Sequence, residues 1–306
     1  LRKFMNISGS EGLVAAGNIF MGMTESPVLI KNYLPTMNRS EIFLVMVSGM
    51  GTIAGSVMGT YIGMLGGTDP AAKVLFATHL LSASVMAVPG SIVLAKMLCP
   101  QTEEATDHVA ISGKEKENSN ILDAISSGTV TGVKLMTNIA AMLLVFISLV
   151  ALANYITEGV IGRYTGLNDW IVSITGGKAQ GLTFQFILGV ILSPFMWLIG
   201  VPYQDVMLVG SLLGQKTILN EFVAYFQLQE WKDAGLFLYQ KSILMSTYIL
   251  CGFANISSIG ILLGGMGVLA PEKRELITRF GFPAMIAGAL VSVLSATIIG
   301  MMLIVN

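Results

Sequence analysis

Six stretches of this chain contain no Asp, Glu, Lys or Arg, and each is long enough to cross a lipid bilayer. They are residues 42–68, 74–95, 135–157, 179–204, 242–271 and 280–306. A helix needs about 20 apolar residues to cross roughly 30 Å of hydrocarbon. The pattern therefore predicts an all-α polytopic membrane protein. It leaves open whether 179–204 crosses the membrane or lies along its surface, because that stretch contains Pro194 and has polar ends.

Two shorter apolar segments are each interrupted by a carboxylate. Glu25 divides residues 12–30. In residues 206–229, Lys216 ends the first apolar half, and Asn220-Glu221 precedes the second. An apolar half, a polar tip and a second apolar half are typical of a re-entrant hairpin, which membranes tolerate only where protein or water surrounds it. The alternative is an interfacial helix whose charged side chains extend to water.

Each of these segments opens a similar series of elements. The predicted repeats are 1–99, with hairpin 8–38, broken helix 41–65 and helix 72–98, and 201–306, with hairpin 202–230, broken helix 241–266 and helix 280–305. Between them we expect a polar loop and surface helix over 100–134, then a scaffold-type helix and an interfacial helix over 135–200. Internal repeats are common in transporters. The repeats are inverted if 179–204 stays on the membrane surface, and parallel if it crosses.

Composition narrows the class of protein. The 306 residues include 17 basic and 18 acidic side chains, or 11% charged, against roughly 25% in soluble proteins. This excludes an ordinary cytosolic enzyme, and a net charge of −1 offers no basic surface to nucleic acid. Cys99 and Cys251 have no CxxC partner and no nearby His, so the sequence gives little support to a zinc or redox site.

The first candidates for chemistry are Glu25 and Glu221. A carboxylate inside a membrane-embedded helix costs at least ~2.5–3.5 kcal/mol unless it is paired or hydrated. The alternative is a charge at the membrane surface. The matching tips Thr24-Glu25 and Asn220-Glu221 favour a ligand-binding role.

The first predicted broken helix carries two sets of small residues at a spacing of four. The sets are Gly51, Gly55, Gly59 and Gly63, and Ser48, Thr52, Ser56 and Thr60. This spacing keeps each set on one helix face. The glycine face predicts close helix packing, and the hydroxyl face predicts a polar cavity. Clustered glycines also weaken the helix, which would free carbonyl oxygens for a cation.

Asparagine side chains also lie within the predicted hairpin and broken-helix segments. Asn255 and Ser258 share a face of the second broken helix, and Asn18 lies in the first hairpin. A buried amide is costly without a polar partner. Hydroxyls, amides and two carboxylates, with no nucleophile–base pair beside them, suit a neutral solute with many hydroxyl groups.

Four segments resemble the concentrative nucleoside transporter family, bacterial type. They are GNIFMGMTESPVLIKNYLP at 17–35, GTIAGSVMGTY at 51–61, NEFVAY at 220–225 and CGFANISSIGILLGG at 251–265. The resemblance covers essentially the whole chain, without the family's three N-terminal membrane helices. It implies two inverted repeats in a transport domain that moves like an elevator against a trimeric scaffold. The implied location is the cell (inner) membrane, with the full-length protein a multi-pass homotrimer.

The resemblance also implies residue roles. The substrate-binding residues would be Met23, Thr24 and Glu25 near the nucleobase, with Val57 packed against it, and Glu221, Asn255 and Ser258 on the ribose hydroxyls, with Phe253 nearby. Na⁺ would bind the side chains of Asn18 and Thr52 and the carbonyls of Met21 and Ile53.

The implied activity is nucleoside import coupled to a cation, with Na⁺ as the expected coupling ion, no cofactor and no enzymatic reaction. Met23 stands where the family commonly has Gln, so we expect a shift of base preference toward purines. Thr52 stands where Ser is common and keeps the hydroxyl. The alternatives are H⁺ coupling and a nucleoside-binding sensor or gate that does not accumulate substrate. A membrane-embedded hydrolase would need a nucleophile–base pair.

Overall fold

The computed structural model describes residues 7–103, 120–177 and 179–303, and over these residues it is helical and contains no strand. The chain divides into two compact units, Leu1–Val109 with Ile187–Asn306, and Ala110–Phe186. All the candidate site residues belong to the first unit. The predicted polar loop falls largely on residues 104–119, outside the described residues.

The N-terminal part of the first unit contains four helices and a 3₁₀ turn. It consists of α1 (Gly9–Gly17), a 3₁₀ turn (Ser26–Ile30), α2 (Arg39–Gly51), α3 (Gly55–Gly66) and α4 (Pro70–Leu98). Capping boxes start α1 and α2, with Ser8 and Asn38 as the N-caps and Glu11 and Glu41 as their partners. The second arm of the first hairpin is a 3₁₀ turn rather than an α-helix, and Pro27 lies at its start.

The C-terminal part of the first unit repeats this order. A 3₁₀ turn (Tyr203–Asp205) precedes α9 (Val206–Ile218), α10 (Glu221–Asp233), α11 (Gln240–Leu250), α12 (Ile256–Leu269), a 3₁₀ turn (Pro271–Lys273) and α13 (Arg274–Met302). Each hairpin is thus followed by a helix that is interrupted at its middle.

The intervening region contains α5 (Ile121–Asn154), a π-helical segment (Tyr155–Gly162), α6 (Arg163–Thr165), α7 (Leu167–Ile174) and α8 (Phe184–Leu198). The sequence predicts a surface helix and then a separate span at 135–157. In the structure, both belong to one 34-residue helix that continues into the π segment. The segment 179–204 contains the 15-residue helix α8, which is shorter than the ~20 residues of a full crossing.

Among the residues that the structure describes, three stretches are long and apolar enough to cross a membrane: Arg39–Gly66, Pro70–Leu98 and Pro271–Met302. The first of these stretches consists of α2 and α3, so the helix is interrupted within the stretch that is long enough to cross the membrane. α13 packs against α2, α4, α11 and α12. The close approach to α2 depends on Gly288, where a β-carbon would lie 2.7 Å from that of Met50.

A buried carboxylate fixes the base of each hairpin. Glu11 is fully buried and forms an ion pair with Lys96 of α4 at 2.5 Å. Asp205 is also fully buried and accepts the backbone N–H groups of Leu238 and Tyr239, each at 3.1 Å. The tips of the hairpins therefore extend from anchored bases.

Candidate functional site

The breaks in the two interrupted helices contact one another. The N–H of Phe253 donates to the carbonyl oxygen of Thr52 at 3.1 Å. At Gly252, a β-carbon would lie 3.0 Å from the carbonyl oxygen of Met50 and 3.1 Å from that of Gly51. Only glycine allows this approach, so the second break brings its backbone directly against the end of α2.

The first break is lined by oxygen atoms. Asn18 is fully buried at the C-terminal end of α1, and its Nδ2 donates to Ser48 Oγ at 2.9 Å. Thr52 Oγ1 donates to the Ser48 carbonyl at 3.0 Å. The N–H of Gly55 donates to the carbonyl of Phe20 at 2.9 Å. The structure thus brings the hairpin tip and the break together, with Ser48 between the predicted ligands.

Asn18 Oδ1 is the informative atom of this group. It is buried and has no hydrogen-bond partner among the described residues. A buried acceptor without a donor costs about 1–3 kcal/mol, unless a ligand completes it. Met21 follows Phe20 and Ile53 lies two residues before Gly55, so the Phe20–Gly55 hydrogen bond joins the two segments that carry these residues. A set of amide, hydroxyl and carbonyl oxygens fits a hard cation, which prefers oxygen ligands.

Glu221 is the centre of a second polar cluster. Its side chain is 7% exposed at the start of α10. Its Oε2 accepts from Asn255 Nδ2 at 2.9 Å, and its Oε1 accepts from Tyr61 Oη at 3.3 Å. The positive end of the helix dipole also favours a carboxylate at this position. The sequence reading missed Tyr61, whose ring stacks on Tyr225 with 4.1 Å between centroids.

Asn255 connects Glu221 to the start of α12. It is the N-cap of that helix, and its Oδ1 accepts the Ser258 N–H at 2.9 Å, Ser258 Oγ at 3.0 Å and Ser257 Oγ at 2.6 Å. The structure therefore groups Glu221, Asn255 and Ser258. Phe253 is partly buried within the break. Ser257 is a further hydroxyl that the sequence reading did not assign.

The tip of the first hairpin lies between α2 and α12. Met23 is 6% exposed and lies against Gly49, where a β-carbon would come within 2.9 Å of the Met23 β-carbon. The Thr24 methyl would lie 3.2 Å from a β-carbon at Gly265 of α12. Glu25 is exposed, and the hydrogen bonds of the Glu221 cluster within the described residues come from Tyr61 and Asn255 rather than from Glu25. Met23 and Thr24 are thus packed in place, while the Glu25 carboxylate is open to a ligand.

The two predicted small-residue faces differ in burial between the two halves of the broken helix. Val57 is half-buried in the first turn of α3, but Ser56 and Thr60 are exposed. A β-carbon at Gly59 or Gly63 would meet nothing within 4 Å. Among the described residues, close packing is therefore seen at α2 and the break and not at Gly59 and Gly63, while the exposed hydroxyls of Ser56 and Thr60 are compatible with the predicted polar cavity.

Two family models match the chain. The model of the Na⁺ dependent nucleoside transporter C-terminus matches residues 79–300, and a nucleoside recognition model, Gate, matches residues 1–68.

Similar proteins occur in bacteria and in animals. The nucleoside permease NupC of Helicobacter pylori is 37% identical over 308 residues, which are 100% of this chain and 68% of that protein. The sodium/nucleoside cotransporter 1 of Rattus norvegicus is 38% identical over 312 residues, 97% of this chain and 45% of the cotransporter. An uncharacterized transporter of Haemophilus influenzae is 39% identical over 98% of this chain and 68% of its own length. The chain thus spans about two thirds of the bacterial proteins and less than half of the rat protein.

Solved structures show the same fold. CNTnw in an inward-facing substrate-bound state has a TM-score of 0.84 at 36% identity, over 98% of this chain and 66% of that one. A CNTnw variant in an outward-facing state has a TM-score of 0.86 at 36% identity, over 98% of this chain and 67% of that one.

Proposed function

From the premise that this chain belongs to the concentrative nucleoside transporter family, whose members are membrane transporters rather than enzymes, we propose that it imports nucleosides together with Na⁺. The observation that carries this proposal is the pairing of two clusters across the contacting breaks. One cluster holds the buried Glu221 carboxylate, and the other holds the unpartnered Asn18 Oδ1. The first suits a hydroxyl-rich solute and the second suits a cation.

The Glu221 cluster would bind the ribose. A carboxylate accepts from hydroxyl groups in charge-assisted hydrogen bonds, which are stronger than neutral ones. Asn255 and Ser258 are already aligned on Glu221 by their own hydrogen bonds. Little conformational entropy would be lost when a ribose binds, because these side chains are held before the ligand arrives.

The tip of the first hairpin would face the nucleobase. Met23, Thr24 and Glu25 form this tip, and Val57 and Phe253 would be the neighbouring apolar side chains. Because Met23 offers a thioether in place of an amide, we expect purine nucleosides to compete better than pyrimidine nucleosides. A competition panel of inosine, adenosine, uridine and cytidine tests this preference.

Na⁺ would be held by the side chains of Asn18 and Thr52 and the carbonyls of Met21 and Ile53. These groups belong to the hairpin and the break, so the ion would fix the same elements that the nucleoside contacts. Each ligand then stabilises the closed state that the other prefers, and the coupling is reciprocal.

Transport would follow an elevator mechanism in the bacterial inner membrane. The packed hairpins, broken helices and α13 would move as one body, and the full-length protein would form a homotrimer. The inward-facing and outward-facing states of the similar structures support this proposal. Native mass spectrometry of the full-length protein tests the trimer.

The decisive test is uptake of radiolabelled uridine and inosine by proteoliposomes that contain the full-length protein. Accumulation should require an inward Na⁺ gradient and should stop when the gradient is collapsed. Accumulation driven by a proton gradient alone would show that the coupling ion is H⁺ rather than Na⁺. Nucleoside binding without any accumulation would contradict import and support a sensor or gate.

A further inference from the structure

Lys216 is a fully buried lysine near the end of α9, in the first arm of the second hairpin. Its Nζ donates to the Ile249 carbonyl oxygen at 2.8 Å and to Ser292 Oγ at 3.1 Å. Among the described residues, no carboxylate forms an ion pair with it. A buried ammonium is costly. The Glu221 carboxylate interacts with it electrostatically without forming an ion pair, and the two hydrogen-bond acceptors fix its position.

Those partners lie at the C-terminal end of a half-helix. Ile249 is in the last turn of α11, where carbonyl groups lack donors within the helix and carry the negative end of the helix dipole. Ser292 Oγ in turn donates to the Cys251 carbonyl at 3.0 Å, inside the break. Lys216 therefore places a cation against the carbonyl oxygens of the second broken helix.

The first repeat has a comparable place without a basic side chain. There the hairpin presents Asn18 to the C-terminal end of α2, and Asn18 Oδ1 is unpartnered among the described residues. The same end of α2 contributes the Thr52 hydroxyl. Each repeat thus sets a hairpin arm against the end of a half-helix, with a neutral amide in one and an ammonium in the other.

We propose that Lys216 is a tethered cation that takes, in the second repeat, the place that Na⁺ takes in the first. This inference rests on the proposed function, because it uses the proposed Na⁺ position. The ammonium cannot dissociate, so the second hairpin and its broken helix stay joined, and only the first repeat needs an ion from solution. Lys216 is then a positioning residue: it holds α9 to α11 and so keeps Glu221 aligned with Asn255.

The test compares Lys216→Ala with Lys216→Met in the full-length protein. Uridine binding is measured by calorimetry at fixed Na⁺, with methylammonium chloride or tetramethylammonium chloride added. Lys216→Ala should weaken binding ~10-fold or more, because a charged hydrogen-bond donor is lost. Methylammonium should restore much of the affinity by entering the vacated space, and the larger tetramethylammonium should not.

Lys216→Met should show the same loss without recovery, because its side chain fills that space. Lys232→Ala is the matched control: this lysine lies on α10 and is paired with Asp233 near the surface, so binding should not change. Wild-type affinity in Lys216→Met would show that charge is irrelevant and would overturn the proposal. So would a folded Lys216→Ala protein that methylammonium does not restore.

If Lys216→Ala does not fold, Lys216→Met decides alone, with a loss of ~10-fold or more supporting the proposal and affinity within twofold of wild type overturning it. If the wild-type protein binds neither uridine nor inosine at any Na⁺ concentration, the proposed function fails by itself. The role of Lys216 is then read from thermal unfolding. Methylammonium should raise the unfolding midpoint of Lys216→Ala by about 3 °C or more and leave that of Lys216→Met unchanged. If the midpoint of Lys216→Ala is the same with and without methylammonium, the proposal is overturned.

Discussion

At the scale of single residues, two hydrogen-bond donors set the orientation of the Glu221 carboxylate. Tyr61 Oη and Asn255 Nδ2 approach different oxygens of the carboxylate. Each oxygen keeps a further lone pair for a ligand hydroxyl. The two protein donors thus orient the carboxylate without consuming its capacity to accept.

Glu221→Gln should weaken uridine binding ~10-fold or more, since a charged hydrogen bond contributes about 1.5–3 kcal/mol. The glutamine amide nitrogen would also face one of the two donors. Calorimetry with uridine measures the loss. As a control, 2′,3′-dideoxyuridine lacks the 2′ and 3′ hydroxyls of the ribose and should bind both proteins with similar, low affinity. Unchanged uridine affinity would refute the ribose role.

Asn18 and Thr52 give the second prediction at this scale. Replacing both with Ala should abolish the Na⁺ dependence of uptake, because two of the proposed side-chain ligands are removed. Thr52→Ser is the matched control and should keep the dependence, since it retains the hydroxyl. The measurement is initial uptake rate against Na⁺ concentration. An unaltered curve in the double variant would place the ion elsewhere.

At the scale of elements, the position of the first hairpin tip depends on a glycine in α2. A β-carbon at Gly49 would lie 2.9 Å from the Met23 β-carbon and 3.3 Å from its α-carbon. The second contact is with the main chain, so the tip itself would have to move.

Gly49→Ala should therefore reduce both nucleoside and Na⁺ affinity and destabilise the protein by ~1–3 kcal/mol, the usual cost of overpacking. Gly59→Ala is the control on α3, where a β-carbon meets open space. It should leave transport unchanged and stabilise the helix by up to ~1 kcal/mol. Uptake kinetics and thermal unfolding compare the two variants, and equal behaviour would contradict the packing argument.

The sequence predicted the interrupted helices because their breaks are marked by local chemistry: glycines with hydroxyls in the first, and Asn255 in the second. It did not predict Tyr61 as a partner of Glu221, because these residues are 160 positions apart and meet only through tertiary packing. Ser48 was placed on the hydroxyl face, but its contact with Asn18 depends on how the hairpin docks. The exposed half of the glycine face shows that a spacing pattern identifies a face without identifying its neighbour.

At the scale of the whole molecule, both predicted clusters lie in one compact unit of the chain. That unit contains both hairpins, both broken helices and α13, whose contacts with α2, α4, α11 and α12 join the two repeats. An elevator requires such a unit to keep its internal distances while it moves. A hinged gate would instead change the distance between the hairpins.

Spin labels at Gly9→Cys and Ala234→Cys distinguish these mechanisms in the full-length protein, in a Cys99→Ser, Cys251→Ala background. Both positions are exposed at the base of a hairpin. The distance between them within one subunit should change by less than ~2 Å between Na⁺ with uridine and neither ligand. The distance between Ala234→Cys labels on different subunits should change by more. A large change within one subunit would favour hinged gating.

The hydrogen bond from Phe253 to the Thr52 carbonyl has a consequence for the order of folding. The two partners are about 200 residues apart, and ribosomes add ~5–20 residues per second. During synthesis, the first break therefore waits roughly 10–40 s for the donor that completes it. In that interval the Thr52 carbonyl of the first repeat is without its Phe253 donor. The proposed ion site of the first repeat would thus be completed only when the second repeat has been made.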